Sequence, residues 1–438
     1  MRRLLKILLI NQTFYPDVVS TAQHLTDLAV DLVKRGCEVT VLASRRGYTE
    51  PHPVYPAREN YQGVQVIRVC PFSLGRETRI RRILDAFMVM ICFAWQLLWL
   101  PRFHKVVAMT TPPLVAWIGL IFSKLRRSQF FYWVMDINPD QAIEAGWIRT
   151  NSRRARILRN ILKFILKRSE HIVVLDRFMK DRLIIKGASP DKIAVIPPWS
   201  HDEDLETVSH SRNPFRKKYG LDDKFVVMYS GNHSVCHPLD TLLEAALAFK
   251  EDPSIVFIFI GSGERASDVT HFKNRYHLSS IIQLPYQERS ELKYSLSAAD
   301  LHTVVMGEPY VGITHPCKIY GILKIGRPFV YVGPEESPMG ELISSERVGC
   351  HVDHHETQKL VEAIHQVRQL EPAAKEEPAA KEEEVSADEG IDTDAASNAI
   401  DSVIENAVNE DIANTAQDAG EEALITGDVD ITIDLNTK

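Results

Sequence analysis

MGEPYVGITHPCKIYGILKIGRPFVYVG, Met306 to Gly333, decides how this 438-residue chain is organised. An apolar run from Ala298 to Met306 enters it and reads as a buried strand; a second apolar run, Phe329 to Val332, leaves it. Between them Glu308, Pro309, Gly312 and Pro316 cannot continue a strand ladder, and Pro316 suits a first helical turn, where its missing N–H has no partner to lose. A helix is therefore predicted to start near Cys317. Lys318 then stands in a first turn where unpaired amides and the macrodipole already present positive charge. A cation there is explained by an anion beside it. Amides, a lysine and a loop of small residues at the carboxyl edge of a parallel strand are what a phosphate needs. A lysine that snorkels to solvent from an amphipathic helix satisfies the same sequence.

Working outward, the same alternation recurs. Lys6 to Ile10 reads as a strand, Thr21 to Arg35 as a helix stopped by Gly36, and Glu38 to Ala43 as the next strand, a βαβ unit that implies a parallel sheet. Val64 to Val69, Val106 to Met109, Phe130 to Met135, His171 to Leu175 and Ile193 to Ile196 continue the series. A polar stretch, His201 to Lys224, reads as a linker. Phe225 to Tyr229, Leu239 to Phe249 and Ile255 to Ile260 then repeat the opening order, followed by Ile281 to Leu284, the quoted segment and a last helix, Thr357 to Leu370. The predicted class is α/β: two tandem doubly wound parallel-sheet domains, 1–200 and 201–370, followed by an acidic low-complexity tail, 371–438. No G-x-G-x-x-G opens the first loop, which removes the usual support for nicotinamide binding.

Charge is segregated. Residues 1–200 hold 31 Lys+Arg against 15 Asp+Glu, and residues 371–438 hold 3 against 20. The tail is predicted to be largely disordered, with a transient helix around Ala399 to Val408. Arg149 to Arg168 carries eight cations and no acid. Arg156, Arg159, Lys163 and Lys167 fall on one helical face and Ile157, Leu158, Ile161, Leu162 and Ile165 on the other, the pattern of a helix that lies on an anionic membrane or of a solvated face on a packed helix. Nucleic acid also suits a basic face, but no binding motif accompanies it. Ile83 to Leu100 is apolar nearly all round, with Trp95 and Trp99, yet Asp85 and Gln96 interrupt it; it reads as a core helix, a helix set in one leaflet or, least well, a span. The six cysteines show no metal or disulfide spacing and read as reduced core residues of a cytosolic chain, and the N-terminus lacks a secretory apolar run. HVDHHE, His351 to Glu356, reads as a polar loop rather than a metal site. The DVD at Asp428 to Asp430 resembles a metal-binding acid pair, but it sits in the tail.

Taken together, the YPD loop before His24, TTPP, DINPD, IPPWS, YSGN before a long helix, GSGE and P-C-K-I-Y-G-I-L-x-x-G-R-P resemble the retaining GT-B glycosyltransferases of family 4, in the branch of colanic-acid and O-antigen sugar transferases, over about residues 5 to 370. The resemblance implies two Rossmann-like domains facing a cleft. It also implies metal-independent transfer of a hexosyl or N-acetylhexosaminyl group, without a cofactor, from a nucleotide sugar, UDP favoured over GDP. The implied acceptor is a polyprenyl-diphosphate-linked lipid, on the inner face of the cell membrane. Carried over, Gly231, Asn232, His237, Gly261, Gly263, Glu264, Tyr286, Gly312, Lys318 and Tyr320 would bind the donor. Asp136, Lys318 and Glu308 would carry the chemistry, Tyr15 and His24 would face the acceptor, and Arg153, Arg156, Arg159, Lys163, Lys167, Trp95 and Trp99 would face an anionic membrane. The sequence departs from the family where a second glutamate becomes Gly321 and an arginine becomes Asn232. A sugar-nucleotide epimerase and a non-catalytic partner of the same fold remain open. Asp136 could equally cap a helix, and His24 could be a structural histidine.

Overall fold

The computed structural model describes residues 4–17, 19–47, 54–70, 72, 79–200 and 205–376. The helix around Ala399, the DVD and nearly all of the acidic tail lie outside these residues. Two sheets organise the rest. The first is built from β1 (Lys6–Ile10), β2 (Glu38–Ser44), β3 (Arg58–Tyr61), β4 (Val64–Val69), β5 (Lys105–Ala108), β6 (Gln129–Trp133), β7 (His171–Val174) and β8 (Ile193–Val195), in the order β3-β4-β2-β1-β5-β6-β7-β8. The second contains β9 (Phe225–Ser230), β10 (Ile255–Ile260), β11 (Ile281–Leu284), β12 (Leu301–Val305), β13 (Phe329–Val332) and β14 (Cys350–Val352), in the order β11-β10-β9-β12-β13-β14. Both sheets reverse direction beside their first strand, β1 against β5 and β9 against β12, and such switch points open a crevice at the carboxyl ends of the strands.

The sequence explains the central strands directly. Ile255 to Ile260 is six apolar residues in a row, all buried, as a parallel strand covered on both faces requires. Each such side chain contributes roughly 1.5–3 kcal/mol of burial. The edges are less legible. Arg58–Tyr61 pairs antiparallel with β4 and alternates exposed and half-buried, so its polar residues gave no strand signal. Cys350–Val352 takes His351 and Val352 out of the predicted polar loop and into the sheet.

The linker is a larger correction. Within His201 to Lys224 the helix Pro214–Tyr219, capped by Asn213, packs Arg216 into the second domain. The Arg216 guanidinium, 2% exposed, donates to the carbonyls of Ala298, Leu221 and Lys224 and pairs with Asp300 at 3.1 Å. Asp300 also accepts the Val226 amide. Polar composition suggested solvent, but Asn213 and Arg216 are buried and most of their polar atoms are bonded inside.

Along the helix Arg79–Trp99, Asp85, Val89, Phe93 and Leu97 recur every fourth residue and are buried. That face packs on β4 and on the helix Val115–Arg126, which in turn packs on the helix Arg153–Arg168. In Arg153–Arg168 the buried stripe is Ala155, Leu162, Ile165 and Leu166, whereas Ile157, assigned to the inner face by pattern, points outward and is exposed.

Candidate functional site

The helix of the opening stretch runs from Lys318 to Ile325, one residue later than predicted, and Gly326 at φ 65° ends it. Its first turn, the β9–helix loop and the β6 end of the first sheet enclose a cavity of about 410 Å³ between the two sheets. Ligand pockets begin at about this size. Of the residues singled out by sequence, Gly231, Asn232, His237, Tyr286 and Lys318 line it from the second domain, and Asp136 and His24 from the first.

Lys318 is the centre of the site. Its Nζ is buried with no hydrogen-bond partner and sits 3.7 Å above the centroid of the Tyr229 ring. Burial pushes its pKa down to about 7, against a smaller opposing pull from Cys317. The ammonium therefore does not snorkel to bulk solvent. Gly231 makes room for it: a Cβ there would lie 3.3 Å from Lys318 Cε, on a backbone at φ 137°.

The Gly231 amide is not available to a ligand, because its N–H donates to Ile260 O at 2.9 Å. The His233 amide likewise donates to Ser262 O and the Gly261 amide to Leu284 O. These bonds extend the sheet into the loops. Gly261 and Gly263 serve that closeness and do not line the cavity: added Cβ atoms would fall 2.1 Å from Gly231 O and 2.5 Å from His233 O. Positive charge at this wall comes from the lysine.

His237 and Asp136 are tuned by burial. The His237 Nδ1–H donates to Val305 O at 2.6 Å. Burial first, and then the nearby Lys318, hold its pKa down at about 3, so the ring is neutral and offers Nε2 as an acceptor. Asp136 is pushed up to about 6 by burial, and it does not cap the helix Asp140–Glu144, whose cap is Pro139. His24 binds the Ser20 carbonyl through Nδ1 at 2.8 Å and packs edge-on against Trp199 at 4.7 Å, a structural setting on the cavity wall.

Besides Gly261 and Gly263, five assigned residues stand off the wall. Glu308 is exposed in a short 3-10 turn, Glu308–Tyr310, because the chain after β12 turns onto the first domain, where the Ile137 amide bonds Ile313 O at 2.8 Å. Gly312, at φ 68°, is required by the Phe178 carbonyl, 2.6 Å from where a Cβ would stand. Tyr320 gives its hydroxyl to a relay, 3.0 Å from His315 Nε2, and His315 Nδ1 meets the Asp176 carboxylate of the first domain at 2.8 Å. Tyr15 stacks on Tyr61 with ring centroids 4.1 Å apart. Glu264 pairs with Arg82 of the first domain at 3.5 Å. His315, which lines the cavity, was missed by sequence reasoning. Its signal was an imidazole directly before the proline that opens the helix.

Cys236 and Cys317 line the cavity, and burial raises Cys236 to about 11. In the histidine-rich segment His351 bonds Gly333 O and His354 bonds Met306 O. Among the described residues no group of three His, Cys, Asp or Glu could hold a metal ion. Gly321 lies on the wall, and a Cβ there would meet only Leu296 at 3.6 Å, so no steric demand excludes a side chain.

Residues 21–199 match the family model described as glycosyl transferase 4-like domain. The putative colanic acid biosynthesis glycosyl transferase WcaI of Escherichia coli (strain K12) is 22% identical over 381 residues, covering 83% of this chain and 92% of that protein. Sucrose-phosphate synthase from Thermosynechococcus elongatus superposes with a TM-score of 0.63 at 16% identity, over 84% of this chain and 90% of that one. HepE from Anabaena, in complex with UDP-glucose, gives a TM-score of 0.61 at 16% identity, over 84% of this chain and 91% of that one. The chain therefore has the GT-B fold, two Rossmann-like sheets flanking a cleft, and its residues 21–199 are similar to the glycosyl transferase 4-like domain.

Proposed function

We propose that the protein is a glycosyltransferase of polysaccharide or lipopolysaccharide synthesis. In this reading it moves a sugar from a nucleotide-sugar donor, UDP favoured, onto an acceptor held in the membrane by a polyprenyl diphosphate. The observation that carries it is the unpartnered, buried Lys318 Nζ on the wall of a cleft between two Rossmann-like sheets. Burying an ammonium without a partner is costly, and an anionic ligand removes the cost. The solved complex of the similar HepE with UDP-glucose supports a uridine diphosphate sugar in that place.

Departure of the diphosphate builds negative charge on the leaving oxygen while the anomeric carbon takes on oxocarbenium character. Lys318 stabilises that charge from a fixed position, which is electrostatic preorganisation. The neutral His237 accepts a hydrogen bond from a sugar hydroxyl through Nε2, and Asp136, opposite it, orients the sugar. With the leaving group supported by Lys318, transfer requires no divalent ion in this reading, and the family resemblance implies retention.

A protein that binds the donor without turning it over is favoured by one feature, the absence of a carboxylate at Gly321. A panel of UDP- and GDP-sugars offered to the purified chain with a polyprenyl-diphosphate acceptor separates the two. Product whose anomeric configuration matches the donor, formed equally in EDTA and in Mg²⁺, supports the transferase. Donor binding with neither transfer nor hydrolysis assigns the non-catalytic reading, and an isomerised donor assigns an epimerase.

A further inference from the structure

The loop that leads into the Lys318 helix is carried by the second sheet but held by the first domain. Residues 308–315 leave β12, and Arg182 donates to Pro309 O at 3.4 Å, the Phe178 carbonyl packs against Gly312, and the Ile137 amide donates to Ile313 O at 2.8 Å. His315 then sets its Nδ1 2.8 Å from Asp176 Oδ2. These contacts fall beside the site. Ile137 follows Asp136 in the chain, and His315 stands just before Pro316, Cys317 and Lys318. Asp136 and Lys318 line the cavity from opposite domains, so the loop joins the two walls over a short path.

His315 is the part of this loop whose side chain is fixed from both domains. A carboxylate accepts, so the Nδ1–H donates to Asp176 and Nε2 is left to accept from the Tyr320 hydroxyl at 3.0 Å. The Tyr320 ring lies at 16° to the imidazole, with centroids 5.9 Å apart. The other Asp176 oxygen accepts the Met179 amide at 2.8 Å and caps the helix Arg177–Ile185. One imidazole thus connects the start of a first-domain helix to the first turn of the Lys318 helix. Although the ring lines the cavity, both nitrogens are engaged, which leaves no free polar atom on it for a ligand.

The His315 and Asp176 side chains are 3% and 8% exposed, whereas the interdomain pairs Arg82–Glu264 and Arg177–Glu341 are much more open to solvent. Exposed pairs hold little, and a buried pair that loses one partner leaves the other unsatisfied. Domains of one chain move against each other unless their interface resists. We propose that His315 and Asp176 are positioning residues: their hydrogen bond clamps residues 308–315 to the first domain and so fixes Lys318 against Asp136 across the cleft. The effect on turnover rests on the transferase reading; the clamp itself does not.

The test uses the full chain and substitutions that keep or lose one arm of the imidazole. His315→Asn sets an amide N–H near the place of the Nδ1–H, while His315→Gln sets its amide near Nε2 and leaves Asp176 without its donor. In His315→Gln and in Asp176→Ala, UDP affinity by calorimetry should stay within about threefold of the wild type while kcat for transfer falls by about 10- to 100-fold. His315→Asn should recover most of that loss, and combining Asp176→Ala with His315→Gln should be no worse than either alone. Asp176→Ala also removes a helix cap; if its melting temperature falls, His315→Gln, which leaves the cap in place, decides. Hydrogen exchange reads the clamp without any sugar: the Ile137 amide should exchange about tenfold faster or more in His315→Gln and near the wild-type rate in His315→Asn. A kcat in His315→Gln within about threefold of the wild type, UDP affinity and kcat falling together, or unchanged exchange at Ile137 would each overturn the proposal. A wild type that transfers no sugar sinks the transferase reading alone, because exchange at Ile137 still decides the clamp.

Discussion

The cleft wall and the three-helix outer face depart from ordinary folding in opposite directions. In the cleft a lysine is buried without a hydrogen-bond partner; outside, tryptophan, phenylalanine and leucine are exposed in rows. Lys163, on the outer helix, is exposed, whereas Lys318, on the inner one, is buried enough that its pKa falls to about 7. A protein optimised only for stability would exchange these environments. Each region is thus incomplete by itself: the cleft lacks a counter-charge for its lysine, and the outer face lacks a cover for its apolar rows.

The comparison is most severely tested at Lys318. Lys318→Met should lower transfer by about 10²–10³-fold, the scale of one preorganised electrostatic contact. It should also stabilise the fold, because a lysine whose pKa drops from 10.5 to about 7 on folding costs stability wherever the unfolded chain is protonated. The penalty, on the order of 5 kcal/mol, is complete below about pH 7 and shrinks to nothing as the pH rises toward the unfolded value. Chemical denaturation of both proteins across that window measures it. An inactive Met variant with no gain in stability would show that Lys318 is already satisfied in the free protein.

Gly261→Ala comes next. A Cβ 2.1 Å from Gly231 O, at φ 125°, must part the two loops, and a loss of roughly 3 kcal/mol is expected in thermal unfolding, with donor affinity falling in parallel. The two faces of Arg153–Arg168 can be compared directly. Leu162→Ala, on the buried face, should cost about 2–5 kcal/mol, whereas Ile157→Ser, on the exposed face, should change stability by no more than about 0.5 kcal/mol while weakening vesicle binding. Equal costs would mean that the outer stripe is covered within the fold.

A smaller effect should appear in donor binding as a function of pH. An anion beside Lys318 raises its pKa again, so binding takes up a proton above about pH 7, and affinity should fall by up to tenfold per pH unit there. Calorimetry in buffers of different ionisation enthalpy reads the proton directly. Smallest of all, Arg82→Ala should alter stability by less than about 1 kcal/mol, because the Arg82–Glu264 pair is partly exposed at 3.5 Å.

Much of this arrangement was legible in the residues. The quoted stretch gave the start of its helix to within one residue, since Pro316 marks it by a backbone rule that acts locally. Lys318 could be tied to an anion by the same logic. Glu308 and Gly312 misled because they are near Lys318 in sequence, while the turn after β12 carries them to the first domain. Gly231, Gly261 and Gly263 were marked for the donor. The Gly231 and Gly261 amides belong to sheet extension, and what the three glycines provide is space, for a lysine and for neighbouring backbone. Arg216 in the supposed linker shows the same limit: a polar residue reads as exposed until its partners, 80 residues away in Ala298 and Asp300, are known.

The sequence by itself determined the number and order of the strands that build the two cores, the helix that opens at Lys318, and the separation of a basic half from an acidic tail. Period, turn chemistry and composition are properties of neighbouring residues and need no fold to be read. Only the tertiary structure decided which of the marked residues share a cavity, that the Gly231 amide is already taken, that His315 bridges to Asp176, and that three helices turn their apolar stripes the same way. Those facts depend on contacts between segments far apart in the chain, where burial and close approach are fixed by packing and not by local preference.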